Sequence, residues 1–186
     1  KARRSLREFV SQAWPIIEPA TPLISGWHVD AICEHLEAVT RGEIPKLLIN
    51  MPPGHMKSQL VAVFWPAWEW GPQGMPSMRF IGASHEEGLA TRDSVKMRRL
   101  VQSEWFQDRW PLRMAGDQNA KTYFENDSTG WRQACPVGSM TGRRGDRVRV
   151  LVDAARDRVE VLYRDVQGID RKRVFGNDKT GRAEAC

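Results

Sequence analysis

Features that mark secreted, zinc-binding or membrane-spanning proteins are scarce in this sequence. Its three cysteines, Cys33, Cys135 and Cys186, are far apart. They form no Cys-x-x-Cys pair and no Cys/His zinc spacing, so neither a disulfide framework nor a zinc site is predicted. No apolar run approaches the roughly 18 residues of a membrane span, and no signal peptide is recognised. The prediction is a protein of a reducing cytosol without a membrane segment.

Length, charge and aromatic content set further limits. The 186 residues suffice for one domain, or for one domain with a tail. A net charge of +5 and a pI near 9.4 are compatible with a nucleic-acid partner, although many basic proteins simply have basic surfaces. Eight tryptophans are many for this length, and three of them cluster at positions 65, 68 and 70. We predict that this cluster belongs to the core rather than to a base-stacking surface.

The most informative stretch covers residues 46–58. The apolar run 47–49 predicts a short buried parallel strand, and residues 52–54 (Pro-Pro-Gly) end it in a loop. Lys57 and Ser58 then open an apolar helix. This order is typical of a phosphate-binding loop, in which the lysine reaches the β- and γ-phosphates and the serine hydroxyl holds Mg²⁺.

The loop departs from the usual phosphate-binding pattern at two positions. Met56 stands directly before the lysine, where glycine is usual, and Pro52 stands at the place of the first glycine. Glycine matters there because the backbone must pass close to the phosphates. The alternative is a strand-loop-helix with an exposed Lys57 and a helix-capping Ser58.

Elements of both types follow the loop. We predict a strand at 78–83, a long helix at 84–102 whose Arg92–Arg99 part is basic, and a hairpin over 121–135. Residues 148–153 predict a further strand that ends in Asp153. A carboxylate at the end of a strand could contact Mg²⁺ through water beside the loop serine. The alternative is an aspartate that caps a turn.

Five segments in fixed order and spacing carry a family resemblance: 27–36, 48–58, 84–106, 116–126 and 141–153. Together they resemble the large terminase subunit of tailed bacteriophages and prophages. The resemblance implies an α/β P-loop NTPase fold of the RecA-like, additional-strand class, with a mainly parallel sheet flanked by helices and here incomplete. It also implies an ATPase that drives double-stranded DNA into a procapsid, in the cytoplasm of a bacterial host.

Site residues and partners follow from the same resemblance. Lys57 and Asp153 are the implied catalytic residues, and Ser58 and Asp153 the implied Mg²⁺ contacts. The implied partners are duplex DNA, a portal protein, a small terminase subunit and further copies of the chain in the motor. The nucleotide-binding set is Trp27, His28, Pro53, Gly54, His55, Met56, Lys57 and Ser58. Their positive charge makes Arg143, Arg144 and Arg147, or the Arg92–Arg99 helix face, the candidates for contact with DNA phosphates. The alternative is that these arginines are solvated surface residues.

Departures from the family weaken the expectation of an active enzyme. Relatives usually have Arg where this chain has Gly54, Gly where it has Met56, and a second acidic residue where it has Ala154, so no general base is predicted. We assign residues 1–153 to a terminase-like domain with a helical lead-in at 1–26. Residues 154–186 form a divergent charged tail without the family's nuclease domain.

Three functions stay open on the sequence. The first is a DNA-packaging ATPase with impaired chemistry. The second is a non-catalytic prophage remnant, with a truncated or frame-disrupted gene, that keeps the fold. The third is another RecA-like DNA-dependent ATPase, such as a helicase, although helicase motifs of the Asp-Glu-x-His type are missing from the sequence.

Overall fold

The structure is a computed structural model that describes residues 5–52, 54–140, 142–151, 158–164 and 170–176. Two predicted site residues, Pro53 and Asp153, lie outside these ranges. The helices are α1 (Leu6–Ile17), α2 (Trp27–Thr40), α3 (Lys57–Gln59), α4 (Trp65–Trp70), α5 (Glu87–Val101) and α6 (Glu104–Gln107). The strands are β1 (Phe80–Ser84), β2 (Met114–Asn119), β3 (Tyr123–Asn126), β4 (Trp131–Pro136), β5 (Arg147–Leu151), β6 (Arg158–Arg164) and β7 (Asp170–Gly176).

A mixed sheet of five strands organises the chain, in the order β2-β3-β4-β1-β5. β1 is parallel to both β4 and β5, whereas the β2–β3 and β3–β4 pairs are antiparallel. The α/β class is therefore confirmed, but the mainly parallel sheet is not found, because half of the pairings come from the β2-β3-β4 meander. The predicted hairpin of residues 121–135 is the β3–β4 pair of this meander. Within the tail, β6 and β7 form a separate antiparallel pair.

The prediction of a strand at residues 47–49 is wrong. Residues 46–50 have no strand assignment. Leu47 and Ile49 pack against the core, while Leu48 between them is 88% exposed. The apolar run therefore marks an extended segment with one buried face. A strand also needs a ladder of hydrogen bonds to a neighbour, and none of the sheet pairings among the described residues includes this segment.

The core lies between the helices and β1. The predicted tryptophan cluster is confirmed as part of it, since Trp65, Trp68 and Trp70 are at most 6% exposed. Cys33 is also buried, on the apolar face of α2. The Ser5 hydroxyl caps α1 by accepting a hydrogen bond from the Glu8 amide at 3.3 Å, which satisfies a free N–H of the first turn.

Proline does not end the helix that follows the loop. Residues 57–70 are helical throughout, with a π-helical segment at Leu60–Phe64 directly before Pro66. There the Trp65 amide bonds the Leu60 carbonyl, five residues earlier. A π-turn of this kind is one way in which a helix accommodates an irregular residue. α1 likewise contains a proline, Pro15, and continues past it to Ile17.

Gly130, in the β3–β4 turn, has no room for a side chain. A Cβ atom there would lie 1.9 Å from the Pro76 carbonyl oxygen. We expect Gly130→Ala to lower the free energy of unfolding by about 1–3 kcal/mol, since a backbone atom must move. Chemical denaturation measures the change. Gly138→Ala, where no atom lies within 4 Å of the added Cβ, is the matched control, and equal effects of both changes would contradict the expectation.

Candidate functional site

A cleft of about 1050 Å³ opens where the loop before α3 meets the carboxyl end of β1. Its walls come from the end of α1 and the segment after it, from the first turn of α2, from the loop and first turn of α3, from residues 84–86 at the carboxyl end of β1, and from α5. Ligands in open α/β sheets collect outside the carboxyl ends of parallel strands. The cleft is therefore placed where the sheet topology favours a binding site, and its volume is close to the upper end of ligand pockets, roughly 1,000 Å³.

The described loop residues line this cleft together. Gly54, His55, Met56, Lys57 and Ser58 are all in its wall. Gly54 has a φ of +85° and Met56 a φ of +58°. A left-handed backbone costs a non-glycine residue about 1–2 kcal/mol, so the chain keeps a glycine-type conformation at Met56 without a glycine. Such strain is often found at ligand sites.

Lys57 is anchored by the loop itself. Its Nζ donates a hydrogen bond of 2.6 Å to the carbonyl oxygen of Met51. The Leu60 amide bonds the Met56 carbonyl at 2.9 Å, so the first helical turn starts at the strained residue. The lysine therefore leans back over the loop, with its ammonium group at the wall of the cleft.

Trp27 and His28 are placed differently from each other. His28 lines the cleft, and its ring meets the His55 ring edge-on with centroids 5.4 Å apart. Trp27 is outside the cleft lining and 80% exposed. A Cβ on Gly26 would lie 2.8 Å from the His28 ring, so the ring is seated directly on the backbone before α2.

The wall formed by α5 contains two cations that the phosphate-loop pattern did not indicate, Arg92 and Lys96. The Lys96 ammonium pairs with Glu18 at the end of α1. Glu18 also accepts a hydrogen bond of 2.6 Å from the Gln59 amide group in the first turn of α3. The hydrogen bond from Lys96 is the main cause of a lowered pKa of Glu18. Three separate elements thus meet at one carboxylate.

Buried charges lie behind this wall. Asp93, fully buried on α5, accepts hydrogen bonds from Arg92 at 2.9 Å and from Arg149 of β5 at 3.0 Å. Arg132 of β4 is 2% exposed, and burial lowers its pKa to about 10. Its Nε and Nη2 atoms have no hydrogen-bond partner among the described residues. These contacts join α5 to the sheet beneath the cleft.

The three arginines proposed for DNA lie away from the cleft lining and differ in exposure. Arg144 is exposed, and Arg143 is exposed with its Nε bonded to the Ser139 carbonyl at 2.8 Å. Arg147 is instead held by buried Glu69, with Nη2–Oε1 at 3.0 Å. Its guanidinium is therefore committed to a structural ion pair, whereas Arg143 and Arg144 are accessible.

The cleft lining contains charged and hydroxyl side chains that suit a phosphate-bearing anion. Lys57, Arg92 and Lys96 give the cleft three cations, and the Ser58 hydroxyl is a suitable oxygen ligand for Mg²⁺. In the described part of the chain, no group of three or more His, Cys, Asp or Glu side chains could hold a metal ion. A Mg²⁺ ion held by Ser58 could take further oxygen ligands from phosphates, as Mg²⁺ commonly does.

Comparison with known proteins gives no relatives: no family model, curated protein or solved structure matches the chain. Within the described residues, none of the helices has the length and apolar character needed to cross a membrane.

Proposed function

We propose that this chain is the ATPase domain of a viral DNA-packaging motor of the terminase large-subunit type. In this proposal it binds Mg²⁺·ATP in the cleft and couples hydrolysis to the movement of double-stranded DNA into a procapsid, on a RecA-like P-loop framework. A portal protein, a small terminase subunit and further copies of the chain are its proposed partners, in the cytoplasm of a bacterial host. The order of the five terminase-like segments supports the proposal.

One observation carries it: the left-handed backbone at Met56, directly before Lys57 and Ser58 at the wall of the cleft. A helix-capping serine and a surface lysine would not require a strained residue between loop and helix. Backbone N–H groups in an αR–αL or turn conformation form anion-binding nests, and a left-handed residue at that point is consistent with such a nest. The left-handed backbone at Met56 therefore favours phosphate binding over the alternative of a helix-capping serine beside an exposed lysine.

The loop residues have defined tasks in this function. Lys57 would exchange the Met51 carbonyl for the β- and γ-phosphates and neutralise their charge. The Ser58 hydroxyl would hold Mg²⁺, and the metal would supply positive charge against the charge that develops on the phosphates. Asp153, outside the described residues, keeps its predicted role as the acidic contact on the Mg²⁺ side. His28 would pack beside the base.

The test is hydrolysis of Mg²⁺·ATP by the purified chain, with and without duplex DNA. We expect hydrolysis that duplex DNA stimulates. DNA binding should weaken steeply as salt increases, because contacts from residues such as Arg143 and Arg144 would be to phosphates. Binding that does not change with salt would contradict phosphate contacts by these arginines.

The side chain of Met56 and the alanine at position 154 favour a second candidate, a non-catalytic remnant that retains the fold. The two candidates differ in one outcome. A remnant that has lost its site binds no nucleotide while it melts cooperatively, whereas the motor domain binds and hydrolyses ATP. DNA stimulation with strand separation would instead indicate the helicase-type ATPase.

Restoring glycine at position 56 is expected to tighten Mg²⁺·ATP binding by about 3–10-fold. Glycine adopts φ near +58° without the steric cost that methionine carries, and it lets the backbone approach the phosphates. Calorimetric titration of Met56→Gly measures the gain. Met56→Ala, which shortens the side chain but keeps a Cβ, should gain less; weaker binding by the glycine variant would refute the expectation.

A further inference from the structure

The loop supplies only part of the positive charge in the cleft. Within residues 54–59, Lys57 is the one side chain with a permanent positive charge. The remaining fixed cations of the cleft lining, Arg92 and Lys96, come from α5 on another wall. They are four residues apart, so they lie on the same face of the helix.

Lys96 is tied to the start of α3 through one shared carboxylate. Its Nζ and the Gln59 Nε2 atom both bond Oε1 of Glu18. Gln59 is two residues beyond Lys57, so the α5 wall lies close to the phosphate loop. The charge of Arg92 also contributes to the lowered pKa of Glu18. Both α5 cations therefore lie near the same point of the cleft.

Hydrogen bonds to the buried Asp93 orient the Arg92 side chain. Its Nε and Nη2 atoms both donate to Oδ1 of Asp93, at 3.1 and 2.9 Å. The other carboxylate oxygen of Asp93 accepts from Arg149, so the buried aspartate is fixed to β5. Only two of the five N–H donors of the guanidinium are used by Asp93. The Arg92 side chain is still 51% exposed, in the cleft wall.

We propose that Arg92 and Lys96 form a second phosphate-binding wall, which holds the polyphosphate chain of the nucleotide from the α5 side while Lys57 holds it from the loop. This inference rests on the proposed function for the identity of the ligand as a nucleotide. Arg92 binds phosphate oxygens through the N–H donors that Asp93 does not use. The Lys96 ammonium group leaves Glu18 and pairs with the ligand. Glu18 competes with the ligand for Lys96 and so limits the affinity.

Opposite effects of two substitutions test the wall. The probes are Mg²⁺·ATP and inorganic triphosphate, titrated calorimetrically into the full chain. Arg92→Ala should weaken binding of both probes about tenfold or more, since one charge-assisted contact is lost. Glu18→Gln should tighten binding several-fold, because the amide oxygen can still accept from Gln59 while the competing negative charge is removed.

The matched control is Arg99→Ala, which removes the same charge from an exposed position of the same helix. It should change affinity by less than about twofold, because Arg99 lies outside the cleft lining and distant exposed charges are largely screened. Thermal melts of each variant confirm that the fold is retained. Binding that depends on Lys57 but is equal in Arg92→Ala and Arg99→Ala overturns the second wall and leaves the proposed function intact.

Two further outcomes separate this inference from the proposed function. Triphosphate binding that needs Arg92, without ATP binding, supports the anion wall and removes the nucleotide function. Binding of neither probe by folded protein overturns both. A Glu18→Gln variant that binds triphosphate more weakly than wild type contradicts the competition between Glu18 and the ligand.

Discussion

Replacing Arg147 with alanine is expected to lower the free energy of unfolding by about 3–5 kcal/mol. The reason is Glu69, whose side chain is fully buried in α4. The arginine reaches it with Nη2 at 3.0 Å and Nε at 3.2 Å, and the Thr40 hydroxyl donates at 2.8 Å. The Arg147 guanidinium also covers the Trp65 ring at 5.7 Å. Removing one partner of a buried pair leaves an uncompensated charge, which is the costly case.

The loss should depend on pH in a defined direction. Burial raises the pKa of the Glu69 carboxyl above its ordinary value. A raised pKa means that the folded state binds this proton more readily than the unfolded state, so stability falls as pH rises between the two pKa values. Without Arg147, which lowers this pKa, the Glu69 carboxyl of the folded protein has a still higher pKa. Arg147→Ala should therefore be closer to wild type near pH 5 than at pH 8.

Urea denaturation at both pH values measures these effects. Arg143→Ala is the control, because it removes an exposed arginine from the loop directly before β5, and we expect it to change stability by less than about 0.5 kcal/mol. Glu69→Gln in the Arg147→Ala background should recover part of the loss, since no charge stays buried. A loss below about 1 kcal/mol for Arg147→Ala, equal at both pH values, would contradict the role assigned to this pair.

Replacing Lys57 with alanine is expected to reduce ATP hydrolysis by at least about 100-fold. The lysine is the cation of the loop, and it would neutralise charge on the phosphates both in the bound state and during phosphoryl transfer. Among the described residues, its hydrogen-bond partner is the Met51 carbonyl. That contact fixes its position without a competing negative charge. The affinity for Mg²⁺·ATP should fall about tenfold or more for the same reason.

Steady-state hydrolysis and calorimetric titration of the full chain measure both losses. Lys121→Ala, at an exposed position outside the cleft lining, removes the same charge as a control and should leave both quantities unchanged. Hydrolysis that survives in Lys57→Ala would show that the activity comes from another site or from a contaminating enzyme. The phosphate loop would then lose its assigned role.

Residue spacing and turn residues correctly predicted the elements that depend on interactions between neighbouring residues in the chain. The helix predicted at 84–102 is found as α5, Glu87–Val101, because apolar residues recur at helical spacing along it. The β3–β4 hairpin was predicted from two short strand-forming segments separated by a turn that contains a glycine. The prediction of a strand at 47–49 was wrong because an apolar run indicates a buried face. It does not indicate whether a neighbouring strand is present to pair with it.

The residues of the candidate site also fall into two groups, those indicated by a local motif and those brought together by tertiary packing. The loop from Gly54 to Ser58 was found from a short motif, and these residues do line one cleft. Arg92 and Lys96 could be read only as a basic helix face, because their partners are set by tertiary packing. The Lys96 and Glu18 pair spans 78 positions of the chain, and no periodicity in the sequence indicates such a contact.

The central claim is that the cleft holds the phosphate chain of a nucleotide, and one crystal structure tests it most directly. The full chain would be crystallised with Mg²⁺ and a non-hydrolysable ATP analogue. The account predicts phosphates in the cleft, with Lys57 Nζ moved from the Met51 carbonyl to a phosphate oxygen, Ser58 on the metal and Arg92 on the α5 side. A nucleotide bound elsewhere, or a cleft without nucleotide in protein shown to bind the analogue in solution, would contradict it.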